Sequence, residues 1–185
     1  LGSYKRNEKI NYENKIVNNF KNNFLVVPEG IETIKMFKFI LKCGEMFKSY
    51  NFIFKVHPEV KKSIIDYLKN QINKKNIINI RISTTEINIM DEIKVSNFII
   101  YRGSVGVFQG CLNELLPIYY NAKEKIDINP LYKFLDNELI VNEPKDLRVF
   151  SNTYKFKNKA EYYMKISREY FERINPQIIA DLLIK

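Results

Sequence analysis

Imidazole and thiol side chains are scarce in this sequence, which holds one histidine and two cysteines. No set of His, Cys or Asp stands at ligand spacing, so no metal site is expected. Cys43 and Cys111 both fall inside apolar helical patterns. A thiol there is a small buried hydrophobe, so a disulfide is not expected and a reducing cytoplasm suits the chain. No apolar run approaches the roughly 18 residues that cross a bilayer. The polar N-terminus lacks the hydrophobic stretch and small-residue cleavage site of a secretory leader. An initiator Met is missing as well: the chain starts Leu1-Gly2-Ser3, which reads as a cloning remnant on a piece of a longer protein. Internal repeats are absent.

What is present suits one globular domain. Apolar residues make up 45% and charged residues 28% of 185, enough for one full core and too little for two large domains. The net charge is +9, from 30 Lys and Arg against 21 Asp and Glu. Such a surface attracts nucleic acid, anionic lipid and phosphorylated small molecules through the same long-range field, so charge alone does not choose among them. Part of the excess belongs to a composition rich in Ile, Lys and Asn, with 22 Asn. A non-catalytic nucleic-acid-binding module is one reading of the charge. It is disfavoured because the 12 Tyr and 13 Phe lie mostly in apolar faces and do not alternate with Arg on one exposed strand.

Along the chain, residues 1–22 are polar, with a weak apolar seam at Ile16, Val17 and Phe20, and read as a linker or strap. Residues 23–155 alternate short β-branched runs with helical stretches, the pattern of a parallel sheet wound with helices. Strands are expected at Phe24–Val27, Asn51–Val56, Ile77–Ile82, Phe98–Tyr101, Pro117–Tyr120 and Leu139–Val141. A helix is expected from Ile31 to about Tyr50, its polar stripe Lys35, Lys38, Lys42, Glu45 and Lys48 falling at spacings of three and four. A second carries Val60, Ile64, Ile65, Leu68 and Ile72 on one face. Shorter helices are expected around Asn88–Val95 and from Val105 to about Glu114. Residues 156–185 form C-terminal helices with a seam at Ala160, Tyr163, Met164, Ser167, Tyr170, Phe171 and Ile174, interrupted at Pro176. That seam fits packing on its own sheet and crossing to another domain equally well.

The expected fold class is therefore α/β, a Rossmann-like parallel sheet of order 3-2-1-4-5-6 with helices on both faces. In that order the loops leaving the first, second and fourth strands meet at one edge, where such sheets bind ligands. They are Pro28-Glu29-Gly30, His57-Pro58 and Arg102-Gly103-Ser104. Gly103 allows close backbone approach, and Ser104 opens the next helix, where free N–H groups favour a phosphate. Arg102 can grip phosphate oxygens or brace the loop. His57 can donate to negative charge on a leaving phosphate, or merely to a loop carbonyl. Glu29 and Glu32 suit a helix start, and Glu29 can also accept hydrogen bonds from sugar hydroxyls. Gly30 serves the turn.

The segments Val27-Pro28-Glu29-Gly30, Phe54-Lys55-Val56-His57-Pro58 and Tyr101-Arg102-Gly103-Ser104 through Pro117-Ile118-Tyr119-Tyr120, taken as an ordered set, resemble the C-terminal half of bacterial surface-polysaccharide glycosyltransferases of the GT-B type. The His-Pro and Ser elements are similar to those of bacterial sialyltransferases and polysialyltransferases. The resemblance spans about Phe24 to Leu131. It implies a domain that holds a nucleotide sugar, CMP- or UDP-linked, against a second Rossmann-like domain N-terminal to it, with no further cofactor. It also implies a glycan acceptor, and cytoplasmic work at the inner face of the plasma membrane. Position by position it assigns His57 and Ser104 to the donor phosphate and Arg102 and Gly103 to the loop. Two departures stand out. Gln109 occupies the place of a ribose-binding Glu, and Glu114 that of a Gly. A nucleotide-sugar epimerase of the same two-domain plan is the alternative enzyme reading.

Overall fold

The computed structural model describes residues 22–123, 127–151 and 157–170. The alternating pattern of the sequence becomes one six-stranded sheet of order β3-β2-β1-β4-β5-β6, and every neighbouring pair is parallel. In chain order the elements are β1 (Asn23–Pro28), α1 (Thr33–Met46), β2 (Asn51–Lys55), α2 (Lys62–Lys74), β3 (Ile80–Ser83), α3 (Ile89–Lys94), β4 (Phe98–Arg102), α4 (Gly106–Leu112), β5 (Leu116–Tyr120), β6 (Ile140–Val141) and α5 (Lys157–Tyr170). The chain is thus α/β and Rossmann-like, with the order read from the sequence.

Side chains that alternate along each strand form rows across the sheet. Phe98, Phe24 and Phe52 stand in register, their rings stacked at 4.7 and 5.3 Å. Gly44 of α1 packs against Ile80, in the same register row; a Cβ there would lie 2.7 Å from Ile80 Cδ1. The next row, Ile99, Leu25 and Ile53, faces the other way. Gly110 of α4 presses onto Ile99 with the same 2.7 Å clearance for an added Cβ. Glycine at both places lets a helix settle directly on the sheet.

Several element ends differ from the sequence reading. The first helix opens with a 3-10 turn over Gly30–Glu32 and its α part ends at Met46; Tyr50 is buried and stacks on Phe47 and Phe24 at 4.8 and 5.1 Å. The third strand starts at Ile80, because Asn79 turns its amide to the carbonyls of Phe47 and Tyr50 while Ile78 is 94% exposed. The fourth helix stops at Leu112, since Glu114 adopts φ 63°. β6 keeps only Ile140 and Val141, and a 3-10 turn over Asn137–Leu139 precedes it. In α5, Tyr163, Met164 and Ser167 are buried and the helix packs on α4 and β5. The strap reading of residues 1–21, and the seam at Phe171, Ile174 and Pro176, lie outside the described residues.

Candidate functional site

The strand order brings the ends of β1, β2 and β4 together at the carboxyl edge, and side-chain contacts tie their loops in sequence. Glu29 donates its backbone N–H to Arg102 O at 3.3 Å. The Glu29 carboxylate lies in the space that a side chain on Gly103 would take, with Ile128 Cδ1 2.9 Å from that added Cβ. Gly103 has φ 71°, so both its conformation and its surroundings demand glycine. The close approach expected at Gly103 is therefore made by the protein itself. On the other side, Gly30 faces His57: a Cβ on Gly30 would sit 3.4 Å from His57 Nδ1. Gly30 thus stands next to His57, and Glu29 next to Gly103.

His57 follows β2 and is partly exposed. Its Nδ1 accepts from the Glu59 N–H at 3.3 Å. In the neutral ring this leaves the proton on Nε2, the tautomer that can donate outward. The Glu59 carboxylate stands 3.9 Å from Nδ1 and is the nearby counter-charge when the ring is protonated. Ser104 lies just before α4, and its Oγ accepts from Gly106 N–H at 3.2 Å, a turn that leaves the hydroxyl proton available. Gln109 sits half-buried on α4, its backbone carbonyl accepting from the Asn113 side-chain amide at 2.8 Å. No hydrogen bond links Gln109 to the loop residues among the described ones.

Arg102 takes the bracing role. It is 1% exposed; its Nε donates to Glu32 Oε2 at 2.9 Å, and Nη1 donates to the Tyr119 hydroxyl at 3.2 Å and Tyr120 O at 3.4 Å. Tyr119 in turn donates to Asp127 at 3.0 Å. Burial, with the Asp127 hydrogen bond second, pushes the Tyr119 phenol up to about 12. Consecutive side-chain turns, Asn129 N–H to Asp127 and Leu131 N–H to Asn129, both 2.9 Å, fold this segment over the end of β4. Tyr101 pins it, donating to Asn129 at 2.7 Å. Sequence reasoning treated Glu32 only as a helix-start acid and missed the loop with Ile128. The Asp-x-Asn-Pro string at 127–130 was the available signal.

A second polar cluster stands beyond β2. The Lys55 ammonium is held by the carbonyls of Thr84 and Ile87 and lies 3.5 Å from Ser83 Oγ, fixing the loop after β3. Burial lowers its pKa, with Glu92 pulling the other way. Arg81 grips both oxygens of Glu92. Burial alone would raise the Glu92 pKa; the hydrogen bonds of Arg81 and Ser83 and the nearby cations outweigh it and hold it low.

Exposed apolar side chains edge the carboxyl rim: Ile31 at 87% and Val105 at 68%, from the loops after β1 and β4. An open hollow of about 300 Å³ lies elsewhere, at the amino ends of β1, β2 and β3. Pocket volume and loop chemistry thus point to opposite rims; the switch-point argument and the contacts around Glu29 place the first candidate at the carboxyl edge. Among the described residues no helix is long and apolar enough to cross a membrane, and no group of His, Cys, Asp or Glu could hold a metal.

No family model matches the chain, and no curated protein matches it. Among solved structures it is similar to a UDP-GlcNAc 2-epimerase from Neisseria meningitidis bound to UDP-GlcNAc, at 12% identity and a TM-score of 0.46. The match covers 91% of this chain and 45% of that one, so the chain spans less than half the length of that structure.

Proposed function

We propose that the carboxyl rim binds a nucleotide sugar, CMP- or UDP-linked, and that the chain is the donor-binding half of a glycosyltransferase. The observation that carries the reading is that the loops after β2, β1 and β4 lie side by side, with Gly30 next to His57 and the Glu29 side chain next to Gly103, at the place where α/β sheets bind ligands. In this reading the Nε2–H of His57 and the Ser104 hydroxyl donate to the donor phosphate, where charge builds as the sugar leaves. The Glu29 carboxylate has no hydrogen-bond partner among the described residues and would repel a phosphate, so in this reading it accepts from sugar or ribose hydroxyls. Gln109 offers an amide where relatives of the resembled family carry a carboxylate. Arg102 acts from behind, holding Gly103 in place through Glu32 and Tyr119. The acceptor-side base and the glycan acceptor belong to a second domain outside this chain, and the whole enzyme works at the inner membrane face. This chain alone then binds donor without transferring it.

Calorimetric titration with CMP, UDP and GDP tests the reading. One of them binds the folded chain, and His57→Ala or Ser104→Ala weakens it about tenfold. Failure of all three to bind would overturn it. Incubating the longer enzyme with nucleotide sugar alone separates transfer from epimerisation, because only an epimerase alters the sugar without an acceptor.

A further inference from the structure

The positive charge is not spread evenly over the two faces of the sheet. Gly44 of α1 packs on the Ile80 row, and Gly110 of α4 on the Ile99 row, which faces the other way. Lys75, at the end of α2, pairs with Glu45 of α1 at 2.6 Å, so α1 and α2 lie side by side on the first face. Lys38 and Lys42 stand exposed one turn apart on α1, and Lys62, Lys69 and Lys74 stand exposed on α2. None of these lysines has an ion-pair partner among the described residues. The acids on the two helices are Glu45, already paired, and Asp66. The opposite face is close to neutral. There α4 carries no charged residue, Lys94 of α3 pairs with Asp91, and Lys165 of α5 with Glu161. Apolar side chains share the basic face: Ile34 and Met46 extend the Lys38–Lys42 stripe at spacings of four, and Tyr67 stands on α2, all three exposed.

We propose that the face formed by α1 and α2 docks on an anionic lipid surface. Lysines without counter-ions complement the negative potential of such a surface, and each one near it strengthens binding about fivefold. Two helices laid on one sheet make a flat layer, and the 14 residues of α1 extend it over about 21 Å, so the lysines of both helices meet the surface together. Ile34, Met46 and Tyr67 settle at the boundary between headgroups and acyl chains. Nucleic acid is the other polyanion that a basic face attracts. Duplex is read by an element that enters a groove and by Arg or amide side chains on base edges, and single strands by several exposed aromatics that stack bases. The two helices hold no Arg, and Tyr67 is their one exposed aromatic. The strands run along this face, so a bilayer against it leaves the carboxyl rim open. The proposal gives a surface to the membrane location in the reading above. It stands on the charges of this chain alone, so its failure leaves the nucleotide titrations untouched.

The test uses the full chain and sedimented vesicles of phosphatidylcholine, alone or with about one-third phosphatidylglycerol. The chain binds the anionic vesicles and not the neutral ones, and about 1 M salt, which shortens the Debye length to about 3 Å, releases it. Lys38→Gln combined with Lys42→Gln weakens binding about 25-fold, with the thermal midpoint and the CMP, UDP and GDP titrations unchanged. Lys94→Gln combined with Lys165→Gln removes the same charge from the opposite face and leaves vesicle binding within about threefold of the parent. Equal binding to both kinds of vesicle, or to neither, overturns the proposal. So does an equal loss from the two pairs, which would reduce the effect to net charge, and so does binding that survives the first pair, which would place the contact elsewhere in the chain. Displacement of the vesicles by an oligonucleotide at equal phosphate concentration would assign the face to nucleic acid instead.

Discussion

Arg102 shows how one residue can serve a site without reaching it. Its guanidinium is fully desolvated, and the Glu32 carboxylate is 90% buried beside it with Lys35 as a second cation at 3.0 Å. A buried pair is held less by its own attraction than by the penalty for leaving either member alone. Arg102→Met is therefore expected to destabilise the chain by about 3–5 kcal/mol, toward the lower figure because Lys35 still faces Glu32. Adding Glu32→Leu should recover most of the loss. Urea unfolding of the two variants measures both; a loss below about 1 kcal/mol, the size of an exposed pair, would show that the pair holds nothing. The strand-end residues His57, Glu29 and Gly103 were legible because each follows a β-branched run. The Arg102–Glu32 bond was not, since its partners are 70 positions apart and no spacing rule connects them. Glu114 is instructive in the other direction. The glutamate holds a left-handed φ of 63°, a conformation that glycine adopts without strain.

At the level of elements, short α3 is anchored to β3 by charge. Glu92 on the helix is gripped by Arg81 on the strand, and its pKa is held below the ordinary value of 4.5. A carboxylate with a depressed folded pKa stabilises the fold above its unfolded value, and that contribution fades as pH falls below 4.5 toward the folded value. Thermal melts of the parent chain should accordingly drop in midpoint through that acid window. Glu92→Gln should start lower at neutral pH and show a shallower acid drop; parallel curves for the two would remove Glu92 from the acid response. Lys55 has the same slope for another reason: burial lowers its pKa by disfavouring the charged form, so the folded state gains as pH climbs toward 10.5. The strands themselves were readable as apolar runs, whereas helix ends were not. Tyr50 and Glu114 end helices through ring stacking and a left-handed turn, both of which depend on neighbours distant in sequence.

Across the whole molecule, the order of the sheet followed from right-handed crossovers together with the usual winding of such sheets, and with it the edge where loops gather. The segment after β5 could not be placed, because Asp127 and Asn129 are anchored by Tyr119 and Tyr101, contacts that arise only once the sheet exists. The net charge of +9 acts at this scale too. Attraction of a nucleotide to the carboxyl rim should fall several-fold as salt shortens the Debye length from about 10 Å at 0.1 M to about 3 Å at 1 M. Titration along one salt series checks this, and an affinity that does not change with salt would contradict it. The packing of Glu29 into the vacancy beside Gly103 has a further consequence. Backbone between these two loops is jammed, so any change there disturbs the fold before it alters binding in the proposed site. Ile31 and Val105 stand free in solvent a few residues away, which makes them the positions where selectivity can drift, or be engineered, while the framework beneath stays intact.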